Sequence, residues 1–170
     1  MLRLGTHYLT LDPRPAQKYS PRTIRALRAS VIDHSVLRQL SRTPIAKLTL
    51  RLGGDPGEHD HGEIILNTAT RVKVIPPFTT HHFAPNVASY RSWVLLHEIG
   101  HHLAQVAEKN TAAFSVFAQQ FKSGVCVTGY GLTSLSEYFA ETFTATLRLP
   151  QLHHRDPAGV AEMQRILSTW

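Results

Sequence analysis

The stretch Trp93–His102, WVLLHEIGHH, constrains this chain more than any other. The pattern His97-Glu98-Ile99-Gly100-His101 sits in an apolar, proline-free run, so it reads as a helix interior. Residues four apart lie one turn apart on the same helical face, and both imidazoles can therefore aim at one point in space. Two neutral imidazole nitrogens converging in this way suit one zinc ion held at about 2.0–2.1 Å. Glu98, beside the first histidine, then comes within reach of a water at that ion and can take its proton as a general base. His102 points about 100° away from His101 and is not counted as a ligand. Eleven histidines in 170 residues make a chance match conceivable. The rest of the chain has to decide between a metal helix and a helix with ordinary histidines.

Such a helix needs a core to pack on, and 170 residues at 42% hydrophobic content are enough for one domain spanning residues 1–170. The single cysteine, Cys126, excludes an internal disulfide framework and reads as a small apolar filler. The opening MLRLGTHYLTLDPR has no continuous apolar segment, and no run is long enough to span a bilayer. A soluble protein is expected, with any export depending on another signal or a larger parent chain. The net charge of +6 is uneven: up to Arg51, ten Lys/Arg face only Asp12 and Asp33, a balance of +8 that leaves −2 for the remainder. A basic first third is a docking face for an acidic partner or simply a solvated surface. No aromatic interleaving or nucleic-acid motif accompanies it, which disfavours nucleic acid.

Residues 1–20, with Pro13 and Pro15, read as an irregular lead-in. Ser20-Pro21 opens a packing helix with Ile24, Leu27, Val31, Val36 and Leu40 on one face, ending near Thr43-Pro44. Leu48, Leu50 and Leu52 alternate with polar residues as in a half-buried strand, and Gly53–Gly57 reads as a turn. His59 and His61 would share a strand face without a third ligand in view, which disfavours a second ion there. Glu63–Asn67 and Arg71–Ile75 read as two short strands stopped by Pro76-Pro77. Gly62, Glu63, Ile64, Ile65 and Leu66, just upstream of the metal helix, are the candidate strand for pairing with an extended peptide substrate. An ordinary interior strand fits those residues equally well. His81 and His82 belong to the loop entering the metal helix, which is predicted over about Ser89 to Lys109.

Phe114, Phe117 and Phe121 mark a further core-facing helix that ends at Ser123-Gly124. Tyr130 follows between Gly129 and Gly131, and the next helix starts at Ser134. On it Glu137 and Glu141 are four apart and stack on one face, as the two histidines do. Glu137 follows His101 by 36 residues, room for one intervening helix and a return to the metal as third ligand. Ser134 and Glu137 also match a capping box, in which the glutamate only satisfies a backbone N–H. Tyr138, Phe139 and Phe143 around the two carboxylates favour a cation partner. Asp156-Pro157 starts a last amphipathic helix within residues 150–170, with His153-His154 in an exposed linker before it.

HEIGH followed by GYGLTSLSEYFAETF resembles the catalytic domain of anthrax toxin lethal factor and the related bacterial Pro-Pro endopeptidases. The likeness covers roughly residues 90–147 and rests on three elements in order: the histidine helix, a tyrosine seven positions before the first glutamate, and the E-Y-F-A-E-T-F helix. It implies that His97, His101 and Glu137 hold zinc, with Glu98 the general base. It also implies that Tyr130 donates to the oxyanion and that Glu141 holds the second ring nitrogen of His97. No motif in the N-terminal half matches the family, so substrate preference does not carry over.

The expectation is therefore an α+β zincin-like fold, a small twisted sheet and an upstream helix packed over the histidine helix, with the Glu helix and terminal helix below. The expected activity is zinc-dependent hydrolysis of a protein or peptide substrate by a metalloendopeptidase, such as a toxin or effector module. Two alternatives stand beside it: an intracellular regulatory peptidase docking one partner through its basic third, and a zinc-stabilised binding module without turnover.

Overall fold

Apolar spacing sets where the helices form, and capping chemistry sets where they stop. A computed structural model of the chain describes residues 2–4, 7–9, 47–51, 57–60, 63–67, 87–108 and 111–169. Helix α1 spans Val87–Ala107, about two residues upstream of the predicted limits, and α2 spans Thr111–Phe121. The turn after α2 closes at Gly124, whose φ of 71° is the left-handed conformation that glycine adopts without steric cost. Helix α3 spans Leu135–Arg148, and its N-cap Ser134 accepts a hydrogen bond from the Glu137 amide at 3.1 Å. After a tight 3-10 turn at Pro150–Arg155, α4 spans Pro157–Thr169. Asp156 caps it by accepting from the Gly159 amide at 2.9 Å, and its other oxygen accepts from the buried Tyr138 hydroxyl at 2.7 Å. One carboxylate thus caps α4 and ties it to α3.

Two strands occupy part of the expected irregular lead-in: β1 (Leu2–Leu4) and β2 (His7–Leu9) pair antiparallel, Leu4 opposite His7. A two-residue connection favours such a hairpin, but three-residue strands are too short for a periodic signal. A second sheet contains β3 (Lys47–Arg51), β4 (Gly57–Asp60) and β5 (Glu63–Asn67) in the order β3-β5-β4. Strand β5 runs parallel to β3, with Lys47 opposite Glu63, and antiparallel to β4, with Asp60 opposite Glu63. Gly57 therefore begins a strand rather than closing the preceding turn. The packing helix expected after Ser20-Pro21, the strand expected at Arg71–Ile75, and the side chains of the basic first third lie outside the described residues.

The core sits where α1, α2 and α3 converge. Leu95, Leu96, Ile99 and Leu103 of α1, Phe117 of α2, and Tyr138, Phe139 and Phe143 of α3 are fully buried, joined by Ile64 from β5 and Met163 from α4. The Phe117 ring centroid lies 4.8 Å from that of Tyr138 and 5.1 Å from that of Phe139, the spacing of offset or edge-on aromatic pairs. Burying each such ring contributes about 1.5–3 kcal/mol. At the α1–α3 crossing a Cβ on Gly100 would come 2.7 Å from Ala140 Cα, so only glycine permits this approach. The described residues form a mostly helical α+β structure, and none of their helices is long and apolar enough to cross a membrane.

Candidate metal centre

The close crossing at Gly100 and Ala140 brings the chemistry-bearing faces of α1 and α3 together. His97 Nε2 lies 3.0 Å from His101 Nε2 and 3.0 Å from Glu137 Oε2, and His101 Nε2 lies 3.4 Å from the same oxygen. Zinc ligands at about 2.05 Å on a tetrahedron are separated from one another by about 3.3 Å, so the three atoms have the spacing of ligands around one ion. Among the described residues, His97, His101 and Glu137 are the group whose donor atoms could hold a metal, all within 4.8 Å of one another.

The outward nitrogens each lie close to an oxygen on α3. His97 Nδ1 lies 2.7 Å from Glu141 Oε1, and His101 Nδ1 lies 2.8 Å from Ser136 Oγ. A ring proton on each Nδ1 would leave both Nε2 atoms free to point lone pairs at the same spot. Glu137 Oε2 is shielded from solvent and accepts no well-formed hydrogen bond among the described residues. A buried carboxylate oxygen left so is costly, and a cation between it and the two nitrogens removes the cost.

Electrostatics agree. Burial works to lower the His97 pKa, yet Glu137, Glu141 and Glu98 outweigh it and hold His97 up toward the charged form. Burial works to raise the Glu137 pKa, yet His101 and His97 hold it well below the usual carboxylate range. The pocket thus demands positive charge, which a proton or a metal ion can supply. These residues fit a divalent ion.

Glu98 is buried on α1, and its charge acts on both His97 and Tyr130. Tyr130, in a one-turn 3-10 helix at Tyr130–Leu132, donates its hydroxyl hydrogen to Glu137 Oε1 at 3.1 Å, and its ring centroid lies 5.9 Å from that of His97. Burial, then the neighbouring Glu137 carboxylate, push the Tyr130 phenol above its ordinary range, so it keeps its proton. The capping-box alternative is half realised: Ser134 caps the Glu137 amide, while the Glu137 carboxylate turns to the histidines. His97, His101, Glu137, Glu141 and Tyr130 are therefore brought together.

The proposed substrate strand is not placed for that role. β5 is interior to its sheet, with β3 on one edge and β4 on the other, so both sides of its backbone are already paired. Ile64 is wholly buried in the core, and Glu63 is half-buried. Gly62, His61, His81 and His82 lie outside the described residues. His59 Nε2 instead meets His102 Nδ1 at 3.1 Å, joining β4 to α1 behind the ligand pair. His153 is half-buried with its ring nitrogen 3.0 Å from the Ala145 carbonyl oxygen, rather than exposed in a linker.

Three supporting features carry no signal in the motif pattern: Gly100 against Ala140, Ser136 on His101, and Thr128 on Glu141 at 2.6 Å. A metal-ligating histidine needs a partner for its second nitrogen. That rule, applied to His101, points to a polar residue beside Glu137, and Ser136 is one.

Compared with known proteins, the chain matches no protein-family model, no curated protein and no solved structure.

Proposed function

We propose that this chain is a zinc-dependent metalloendopeptidase of zincin type, similar to the lethal-factor and Pro-Pro endopeptidase group over residues 90–147. The observation that carries the reading is the convergence of His97 Nε2, His101 Nε2 and Glu137 Oε2, with an α3 oxygen within 2.8 Å of each histidine's outward nitrogen. His97, His101 and Glu137 hold the ion, which when bound supplies Lewis acidity toward a carbonyl and lowers the pKa of water. Glu98 accepts the proton of the attacking water and returns it to the leaving amine. The protonated Tyr130 hydroxyl exchanges Glu137 for the developing oxyanion and stabilises it by hydrogen bonding. Action as a toxin or effector module follows from the group resemblance by analogy.

The test combines metal analysis with cleavage of a proteome-derived peptide library. The expected result is one zinc per chain and cleavage, with Glu98→Gln keeping the zinc and losing about 10²–10⁴-fold in rate. A zinc-loaded wild type that cleaves nothing in the library would instead favour a zinc-stabilised binding module.

A further inference from the structure

The contacts around His97 do not stop at Glu141. Glu141 Oε2 accepts a hydrogen bond from Thr128 Oγ1 at 2.6 Å, while its other oxygen lies 2.7 Å from His97 Nδ1. Thr128 Oγ1 in turn accepts from the Gly131 amide at 3.2 Å. Glu141 is 2% exposed and Thr128 9%, so water cannot readily substitute for either contact. Gly131 lies inside the short turn that carries Tyr130, and a Cβ there would overlap Cys126 Sγ, so the turn is seated close against this wall. One hydroxyl therefore faces two ways. Its hydrogen goes to the carboxylate behind a metal ligand, and its lone pair receives the turn that presents the oxyanion donor.

We propose that Thr128 is a positioning residue that couples the Tyr130 turn to the orientation of His97, so that metal affinity and oxyanion stabilisation both depend on its hydroxyl. The proposal rests on the reading of His97, His101 and Glu137 as a metal site. A donor on Oε2 fixes the Glu141 carboxylate in the rotation that leaves Oε1 for His97. Without that donor, Oε2 is a desolvated anionic oxygen, and the carboxylate gains by rotating away from the imidazole. The amide of Gly131 loses its acceptor in the same step.

The test uses the full chain and four variants: Thr128→Val, which keeps the shape without the hydroxyl, Thr128→Ser, which restores it, Glu141→Gln, and Thr128→Val with Glu141→Gln. Zinc affinity is measured by competition with a chromophoric chelator, the visible spectrum is recorded with cobalt(II) in place of zinc, and peptide cleavage follows. Thr128→Val is expected to weaken zinc binding about 10–100-fold, shift the cobalt bands and lower kcat, while Thr128→Ser stays within about twofold of wild type. The double variant should bind zinc no more weakly than Glu141→Gln alone, because Thr128 acts through that carboxylate. A folded Thr128→Val with wild-type zinc affinity, or additive losses in the double variant, would overturn the proposal and leave the metal site standing. Should Thr128→Val fail to fold, Thr128→Cys, of similar shape with a feeble donor, replaces it, and wild-type zinc affinity there overturns the proposal equally. A wild type that binds no zinc would overturn this proposal together with the metal-site reading.

Discussion

Helices α1 and α3 meet the candidate site differently from the three-stranded sheet. Along the helices, the ligand positions follow from local spacing: His97 and His101 one turn apart, Glu137 and Glu141 one turn apart, and a close crossing at Gly100 and Ala140 to bring the two pairs together. The sheet reaches the same region through Ile64 in the core and through His59 against His102. Ligands come from spacing within an element, while a sheet edge comes from the order in which separate strands pair. Spacing is local, and pairing order is not.

The largest expected effect breaks the helical side alone. Glu137→Ala removes the α3 donor and leaves two histidines, so zinc affinity should fall below the range measurable by chelator competition. The rise in melting temperature that zinc gives the wild type should vanish with it, since a ligand stabilises the native state only in proportion to its binding. Retained zinc would remove Glu137 from the ligand set. Next in size, Tyr130→Phe keeps the metal, because the hydroxyl contacts Glu137 Oε1 and not the oxygen that faces the histidines. It should lose about 10²–10³ in kcat, the effect of one oxyanion donor. An unchanged kcat at normal zinc content would remove Tyr130 from the chemistry.

The same contrast separates what could be read in the sequence from what could not. The four helices from α1 onward were legible from apolar periodicity and caps, and so were the strands at β3 and β5. The pairing of His97 with His101 and of Glu137 with Glu141 was legible from two i, i+4 spacings, while Tyr130 beside the site and Glu141 behind His97 were expected only from the family resemblance. The interior position of β5 was not legible. Its residues Glu63-Ile64-Ile65-Leu66 suit an edge or an interior equally, and only β4 and β3 pairing on either side decides. Thr128 and Ser136 were hidden for another reason: short hydroxyl side chains recur throughout the chain, and their role depends on the one acceptor or donor each meets.

Gly100→Ala tests the interhelical closure and yields the third-largest effect. Alanine is the better helix former by about 1 kcal/mol, which alone predicts stabilisation. The added Cβ would lie 2.7 Å from the backbone of Ala140, which cannot rotate aside as a side chain could. Overpacking of this kind costs about 1–3 kcal/mol, so the sign should reverse, with a melting temperature lower by about 2–4 °C per kcal/mol. Zinc affinity should fall as well, since moving α3 outward carries Glu137 from both histidines. A variant more stable than wild type with unchanged zinc binding would show that the crossing does not set the site.

The smallest effect is expected on the sheet side. His59→Ala deletes the ring whose Nε2 lies 3.1 Å from His102 Nδ1, a partly buried contact between β4 and α1. One such hydrogen bond contributes about 0.5–1.5 kcal/mol net, so thermal unfolding should shift down by only a few degrees. His102 lies about 100° around α1 from His101, so its loss of a partner is not transmitted to the ligand face. Zinc affinity should therefore stay within about twofold of wild type. If zinc affinity instead drops tenfold, the sheet and the metal helices are one coupled unit, and the division between local ligand spacing and non-local edge placement fails at this contact.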